Sequence, residues 1–268
     1  MSFHARPISF KPPRLKGLSP RLIASHYENN YGGAVRRLNA IRGELAVLDP
    51  TSAPGFRLNG LKREELIATN SMLLHEVYFE CLGEGGGGDP SGALADAIVR
   101  DFGSLAHWRA EFVAMGKALG GGSGWVLLTR SPRDGSLSNV GAADHTHGMA
   151  GGAPVLALDM YEHSYHLDFG ANVGAYVDAF MANIAWARVA ARFEGVAAEK
   201  KPHTVTTPCP STRAMVASIM PRFTPRAARS MWRTPRTTRS MSSTRTGTCS
   251  PSRISPASRA PWSATRRN

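Results

Sequence analysis

The chain has 268 residues and a formal net charge of +12, room for one large domain or two smaller ones and a balance that at first points to a polyanionic partner. Residues 201–268 hold 12 Arg and one Lys with no Asp or Glu, so their +13 leaves −1 for residues 1–200. A nucleic-acid partner is therefore not expected for the body of the protein, except for non-specific binding through the tail. The three cysteines, Cys81, Cys209 and Cys249, make no disulfide framework, and Cys81 reads as a buried free thiol. With no secretory leader at the start and no run near the ~20 apolar residues of a membrane span, a soluble cytoplasmic protein is expected.

Residues 1–18 contain Pro7, Pro12 and Pro13 and read as an extended arm. Ser19-Pro20 opens a helix, with Ser as N-cap and Pro at the first helical position. Leu38, Ile41, Leu45 and Leu48 carry it to about Leu48, a bend or a close helix contact is expected at Gly32-Gly33, and Asp49-Pro50 stops it. A second helix is predicted over Lys62 to Leu82, with Leu66, Ile67, Leu73, Leu74, Val77, Tyr78 and Cys81 as its apolar stripe and His75 inside or along the edge. The two helices make an antiparallel hairpin, and the glycine run Gly85 to Gly88 with Asp89-Pro90 marks a boundary.

Beyond the boundary the pattern changes. Short helices are predicted over Ala93 to Arg100 and Ser104 to Leu119, the latter with Trp108 and Phe112 on one face. Gly120 to Gly124 lacks the Lys-Ser/Thr of a phosphate loop and reads as a structural turn. Strands are expected at Trp125 to Thr129, Ser136 to Ala143 and Pro154 to Leu158, then an amphipathic stretch from Asn172 to Phe193. The fold class is α+β: an N-terminal antiparallel helical-hairpin domain over 1–88, and a C-terminal domain over 89–198 with a three-stranded antiparallel sheet and helices. Residues 199–268 form a basic Ser/Thr/Pro/Arg-rich tail expected to be disordered. Its bias resembles GC-rich coding sequence read out of frame.

Four residues suggest chemistry. Asp159 ends an apolar strand and His163 comes four residues later, so the two can converge on one metal ion; taken alone they also fit a capping Asp and an ordinary helix-start His. His26 near the start of the first helix and His75 near the end of the second can face each other across an antiparallel hairpin. Each His alone also fits a satisfied core position; their conjunction favours a site. Three imidazoles and one carboxylate suit iron or manganese better than structural zinc and leave room for a solvent ligand. Two rivals remain. His145 and His147 could form the HxH pair of a cupin-like metal oxygenase, and the tail could serve a polyanion-binding protein with a degenerate metal site.

The stretch Asp159-Met160-Tyr161-Glu162-His163-Ser164-Tyr165 resembles the D-x-W-E-H-A-Y signature of the iron/manganese superoxide dismutases. Gly122-Ser123-Gly124-Trp125 resembles their G-S-G-W segment. Leu18-Ser19 through His26 to Leu38-Asn39 is similar to their first ligand helix, and Asn70 through His75 to Cys81-Leu82 to their second. The resemblance covers about residues 10 to 195. It implies that His26, His75, Asp159 and His163 hold one iron or manganese ion per subunit, that superoxide is converted to dioxygen and hydrogen peroxide, and that the protein is a homodimer through the Glu162/His163 region. Glu162 would reach His163 of the partner subunit, while Trp125 and Tyr161 would line the metal.

Several departures accompany the resemblance. The family's glutamine, which hydrogen-bonds the metal's solvent, is expected either four residues before the second His, where this chain has Ser71, or in the loop before the third strand. That loop reads Asp144-His145-Thr146-His147, which puts His145 in the glutamine's catalytic role with His147 as the alternate. The family's tyrosine eight residues after the first ligand is Ala34, and its frequent His four residues after that ligand is Asn30. Tyr27 and Tyr31 are nearby, and neither is assigned. His166 replaces a second tyrosine that contacts that histidine across the dimer, so Asn30 and His166 read as a compensating pair. Arg36 and Arg188 are candidates to attract the anionic substrate.

Overall fold

Local chemistry sets the first helix. The hydroxyl of Ser19 accepts the Leu22 N–H at 3.0 Å, and Pro20 stands at the first helical position, as its missing N–H allows. This helix, α1, covers Pro20–Ser25 and leads without a break into a π-helical turn over His26–Tyr31. The chain regains α geometry in α2, Gly32–Val47. The expected interruption therefore falls one turn before Gly32-Gly33, as a wider helical turn rather than a glycine bend. A π turn inserts one residue into the helical count and rotates the helix beyond it. Here it carries Tyr31 into the interior, where it is 1% exposed.

The structure, a computed structural model, describes residues 2–198. The tail at 199–268 and the readings that rest on it, disorder and polyanion binding, lie outside the described residues. Helix α3 runs over Gly55–Cys81, seven residues earlier than the predicted start, and pairs with α2. Arg57 with Glu44 close to the turn, and Arg37 with Glu64 and Arg42 with Glu65 farther along, show that the two helices are antiparallel. Of the predicted stripe, Leu74, Val77, Tyr78 and Cys81 are buried but Leu66 and Leu73 face outward.

Two helices come next, α4 over Gly92–Phe102 and α5 over Leu105–Ala118. The strands are β1 (Trp125–Arg130), β2 (Leu137–Ala142) and β3 (Ala153–Asp159), in spatial order β2-β1-β3 and antiparallel throughout. After a 3-10 turn at Glu162–Ser164 come α6 (His166–Phe169), α7 (Val173–Met181) and α8 (Trp186–Ala198). β1 and β3 are nearly continuous apolar runs because both faces of the sheet are covered: α3 and α8 pack on β3, α5 on β1. The register sets Trp125 opposite Asp159, so the indole and the carboxylate emerge at the same end of the sheet.

The single amphipathic stretch predicted at Asn172 to Phe193 is thus two helices, although its face of Tyr176, Val177, Phe180, Met181 and Ile184 is buried throughout. The break is a docking point, not a flexible joint. Gly83 N–H donates to the Asn183 oxygen at 3.0 Å and Gly87 N–H to the Ile184 oxygen at 2.9 Å, so the glycine run lies flat on the α7–α8 link. The N-terminal arm is ordered and docked. Asn39 grips the Phe3 peptide with two bonds of 2.9 Å, and Asn183 exchanges hydrogen bonds with the Lys16 main chain.

Candidate metal centre

Each of the four candidate ligands is delivered by a different piece of the fold: the π turn brings His26, α3 brings His75, the end of β3 brings Asp159, and the 3-10 turn brings His163. One nitrogen from each imidazole and one oxygen of the carboxylate lie within 4.8 Å of one another. A single atom is the focus. Oδ2 of Asp159 is 3.0 Å from Nε2 of His26, 3.2 Å from Nε2 of His163 and 3.5 Å from Nε2 of His75. His26, His75 and Asp159 are buried, while His163 is 26% exposed.

The surroundings hold these groups in place. Oδ1 of Asp159 accepts the Tyr161 N–H at 2.9 Å, which turns Oδ2 toward the imidazoles. The Asp159 main-chain oxygen accepts from the Tyr176 hydroxyl at 2.7 Å and the Ser164 hydroxyl at 2.9 Å. His75 Nδ1 donates to the Ser71 main-chain oxygen at 2.6 Å, and its Nε2 is buried without a partner. The Trp125 ring stands edge-on to His75, and the Tyr161 ring stacks on His163.

These contacts give a direct test of whether a cation belongs here. Burial, then the charge of His26, pushes His75 down to about 3, so at neutral pH the ring is uncharged. Burial lowers His26 as well, against the pull of Asp159. Burial alone would raise Asp159, but the charge and hydrogen bond of His163, then the hydrogen bond of His26, hold it well below the usual carboxylate range. With its proton on Nδ1, neutral His75 turns a lone pair toward a carboxylate oxygen. Two electron-rich atoms buried face to face repel one another, and a cation between them removes the repulsion. The donor set of three imidazole nitrogens and one carboxylate oxygen fits iron or manganese.

His145 lies beside this cluster. Its Nδ1 shares a 2.7 Å hydrogen bond with the Tyr161 hydroxyl, its ring stands edge-on to Trp125, and its Nε2 is buried without a partner. Burial lowers its pKa, against the opposing pull of Asp159. Burial and the Asp159 charge push the Tyr161 phenol up to about 12, so it keeps its proton. His147 turns away: its side chain is 58% exposed and lies 3.0 Å from Asp144. The two histidines therefore do not converge as a ligand pair, and the sheet has three strands among the described residues, not the many short strands of a cupin.

Glu162 and His166 are exposed, and Asn30 is half-buried. Arg188 is committed to the Ser9 hydroxyl and the Leu82 carbonyl. Two features of the site are not apparent in the sequence. One is the Ser71 carbonyl, a main-chain group without a residue-type signal. The other is a network around Tyr31, whose hydroxyl donates to the buried Glu76 at 3.1 Å and accepts the Arg6 N–H at 2.8 Å.

Residues 90–192 match the family model described as iron/manganese superoxide dismutases, C-terminal domain. A protein of Cupriavidus metallidurans named superoxide dismutase [Fe] is 68% identical over 193 residues, covering 72% of this chain and 97% of that protein. The chain belongs to the iron/manganese superoxide dismutase family. Superoxide dismutase [Mn] 2 of Halobacterium salinarum is 46% identical over 67% of this chain and 88% of its own length. Superoxide dismutase [Fe] of Aquifex aeolicus is 35% identical over 69% and 88%. Relatives named for either metal are thus similar to this chain over most of its described length. The family's α+β arrangement accounts for a helical hairpin and a small sheet meeting at one set of side chains.

Proposed function

We propose that the chain is a superoxide dismutase holding one iron or manganese ion through Nε2 of His26, His75 and His163 and Oδ2 of Asp159. The convergence of those three nitrogens on one carboxylate oxygen carries the reading. Residues 1–88 and 89–198 would each supply two of the four ligands, so the ion ties the hairpin to the sheet.

Bound there, the ion supplies reversible one-electron chemistry, by which two superoxide anions and two protons give dioxygen and hydrogen peroxide. The protein's own tasks are positional and protonic. Ser71 fixes which nitrogen of His75 is presented, and Tyr161 N–H fixes which oxygen of Asp159 is. A single carboxylate among three imidazole ligands would leave the bound cation's charge partly uncompensated, which favours an anionic substrate. His145, neutral and with Nε2 unpartnered, is positioned to hold a proton beside the site while the Tyr161 hydroxyl orients its ring.

A homodimer is part of the same proposal. Glu162 and His166 are exposed and His163 is the one candidate ligand partly open to solvent, so this face can accept a second copy, with Glu162 reaching the partner subunit's His163. No helix among the described residues is long and apolar enough to cross a membrane. The test is metal analysis of the purified protein coupled to a superoxide-consumption assay after separate reconstitution with iron and manganese. Close to one ion per chain and activity with at least one metal is expected; a protein that takes up neither metal overturns the proposal.

A further inference from the structure

The N-terminal arm meets the metal centre through a chain of charged and aromatic groups that the dismutation chemistry leaves unused. Glu76 is the next residue after His75 on α3 and is 9% exposed, an unusual place for a carboxylate. Its Oε1 accepts from Tyr31, and its Oε2 lies 3.4 Å from Nε of Arg6, the only cation within 4 Å among the described residues. Arg6 also bonds Glu80 at 2.9 Å, and Glu80 bonds Arg192 at the same distance. Two cations and two carboxylates thus balance. The Arg6 peptide is itself clamped: its N–H donates to Tyr31, and its carbonyl accepts from Tyr27 at 2.9 Å.

Between Glu76 and the candidate ligands there is little but aromatic rings. Tyr31 stacks on His75 at 6.2 Å between centroids and 19° between planes, and the buried Phe79 lies against both His75 and His26. The Glu76 charge, shielded there, is weakly screened and acts across several ångströms, while the Arg6 side chain is 64% exposed and its own charge is screened more strongly. A carboxylate left unpaired there would favour the more positive oxidation state of a bound ion, and an unpaired guanidinium would favour the less positive one.

We propose that Arg6 is a positioning residue for charge at the metal centre: carried by the N-terminal arm, its guanidinium neutralises buried Glu76 and thereby keeps the bound ion's reduction potential where the four ligands set it. The arm is then an electrostatic part of the centre, not only a strap. This role depends on an ion being held by His26, His75, Asp159 and His163.

The test uses the full chain reconstituted with iron, comparing reduction potentials of wild type, Arg6→Ala, Glu76→Gln and the double variant at pH 8, with thermal melts to confirm folding. Arg6→Ala keeps the main-chain N–H that Tyr31 accepts, and Glu76→Gln keeps an oxygen for the Tyr31 hydroxyl, so both alter charge rather than the clamp. The potential is expected to fall in Arg6→Ala, to rise in Glu76→Gln and to return toward wild type in the double variant. Potentials that stay fixed, or that move the same way in both single variants, overturn the proposal while leaving the metal site standing. A wild-type chain that takes up neither iron nor, in a parallel reconstitution, manganese overturns the metal assignment, and this proposal with it.

Discussion

Nδ1 of His75 donates to the main-chain oxygen of Ser71 at 2.6 Å, and this bond decides which nitrogen of the ring faces Asp159. Because the acceptor is a carbonyl one helical turn earlier, the helix itself sets the tautomer. The helix thus turns the Nε2 lone pair toward the Asp159 carboxylate, a mismatch that a cation held between them would relieve.

That mismatch has a pH consequence. His75 sits near 3 in the folded chain against about 6.5 unfolded, so below 6.5 the unfolded chain binds a proton that the folded chain refuses. Stability is lost as pH falls through that window, at about 1.4 kcal/mol per pH unit for this group. His26 is also lowered and adds to the loss in the same direction, whereas the lowered Asp159 carboxylate adds its loss only below its unfolded value of about 3.9. Metal-free protein should show a urea midpoint that drops steadily from pH 7 to pH 5. A midpoint that is level over that range would show that these rings are not held neutral.

His163 offers the cleanest test of the proposed ligand set, because it is partly exposed and its loss leaves no deep cavity. His163→Ala should fold with a wild-type circular dichroism spectrum yet lose metal to a chelator. The affinity loss should exceed the roughly 10- to 100-fold typical when a partner of a ligand, rather than a ligand, is removed. Retention of one ion per chain after dialysis would mean the ligand assignment is wrong.

Much of this centre was legible in the sequence because its parts are short and local. Asp159 and His163 are four residues apart at the end of an apolar strand, and the hairpin periodicity was enough to set His26 against His75. The three strands are legible as short strand-like runs at Trp125 to Thr129, Ser136 to Ala143 and Pro154 to Leu158. What escaped depends on long-range packing. The π turn at His26–Tyr31 has no residue-type signature, so the break was expected at Gly32-Gly33. Leu66 and Leu73 fit the apolar period of α3 and yet are exposed, since periodicity names a face without saying what covers it. Glu76 carries no signal in the sequence; its burial follows from the fold, which sets it against Tyr31 and the Arg6 side chain.

His145 and His147 are separated in the sequence by a single residue and in the structure by their surroundings. His145→Ala removes the buried, unpartnered Nε2 beside Trp125 and should lower kcat by about 10- to 100-fold and change its pH profile. His147→Ala, whose ring is exposed beside Asp144, should leave both unchanged. Steady-state rates by pulse radiolysis from neutral to alkaline pH separate the two. Equal effects from both variants would remove His145 from the proton-handling role.

The glycine run tests how rigidly the hairpin is joined to the rest. A Cβ built on Gly86 would meet the Asn183 main-chain carbon and oxygen at 2.5 Å, and main chain cannot swing aside as a flexible side chain can. Gly86→Ala must therefore push the α3–α4 link off the α7–α8 turn, at a cost typical of overpacking, about 1–3 kcal/mol. Gly85, with open space around its Cβ position, has a positive φ, so Gly85→Ala carries backbone strain without a clash and serves as the comparison. Gly86→Ala should be the more destabilised of the two in chemical denaturation. Because the link docks against the turn that leads into α8, which packs on β3, the same variant should also release metal to a chelator faster than wild type. An unchanged denaturation midpoint for Gly86→Ala would show that the link and the turn are not in contact in solution.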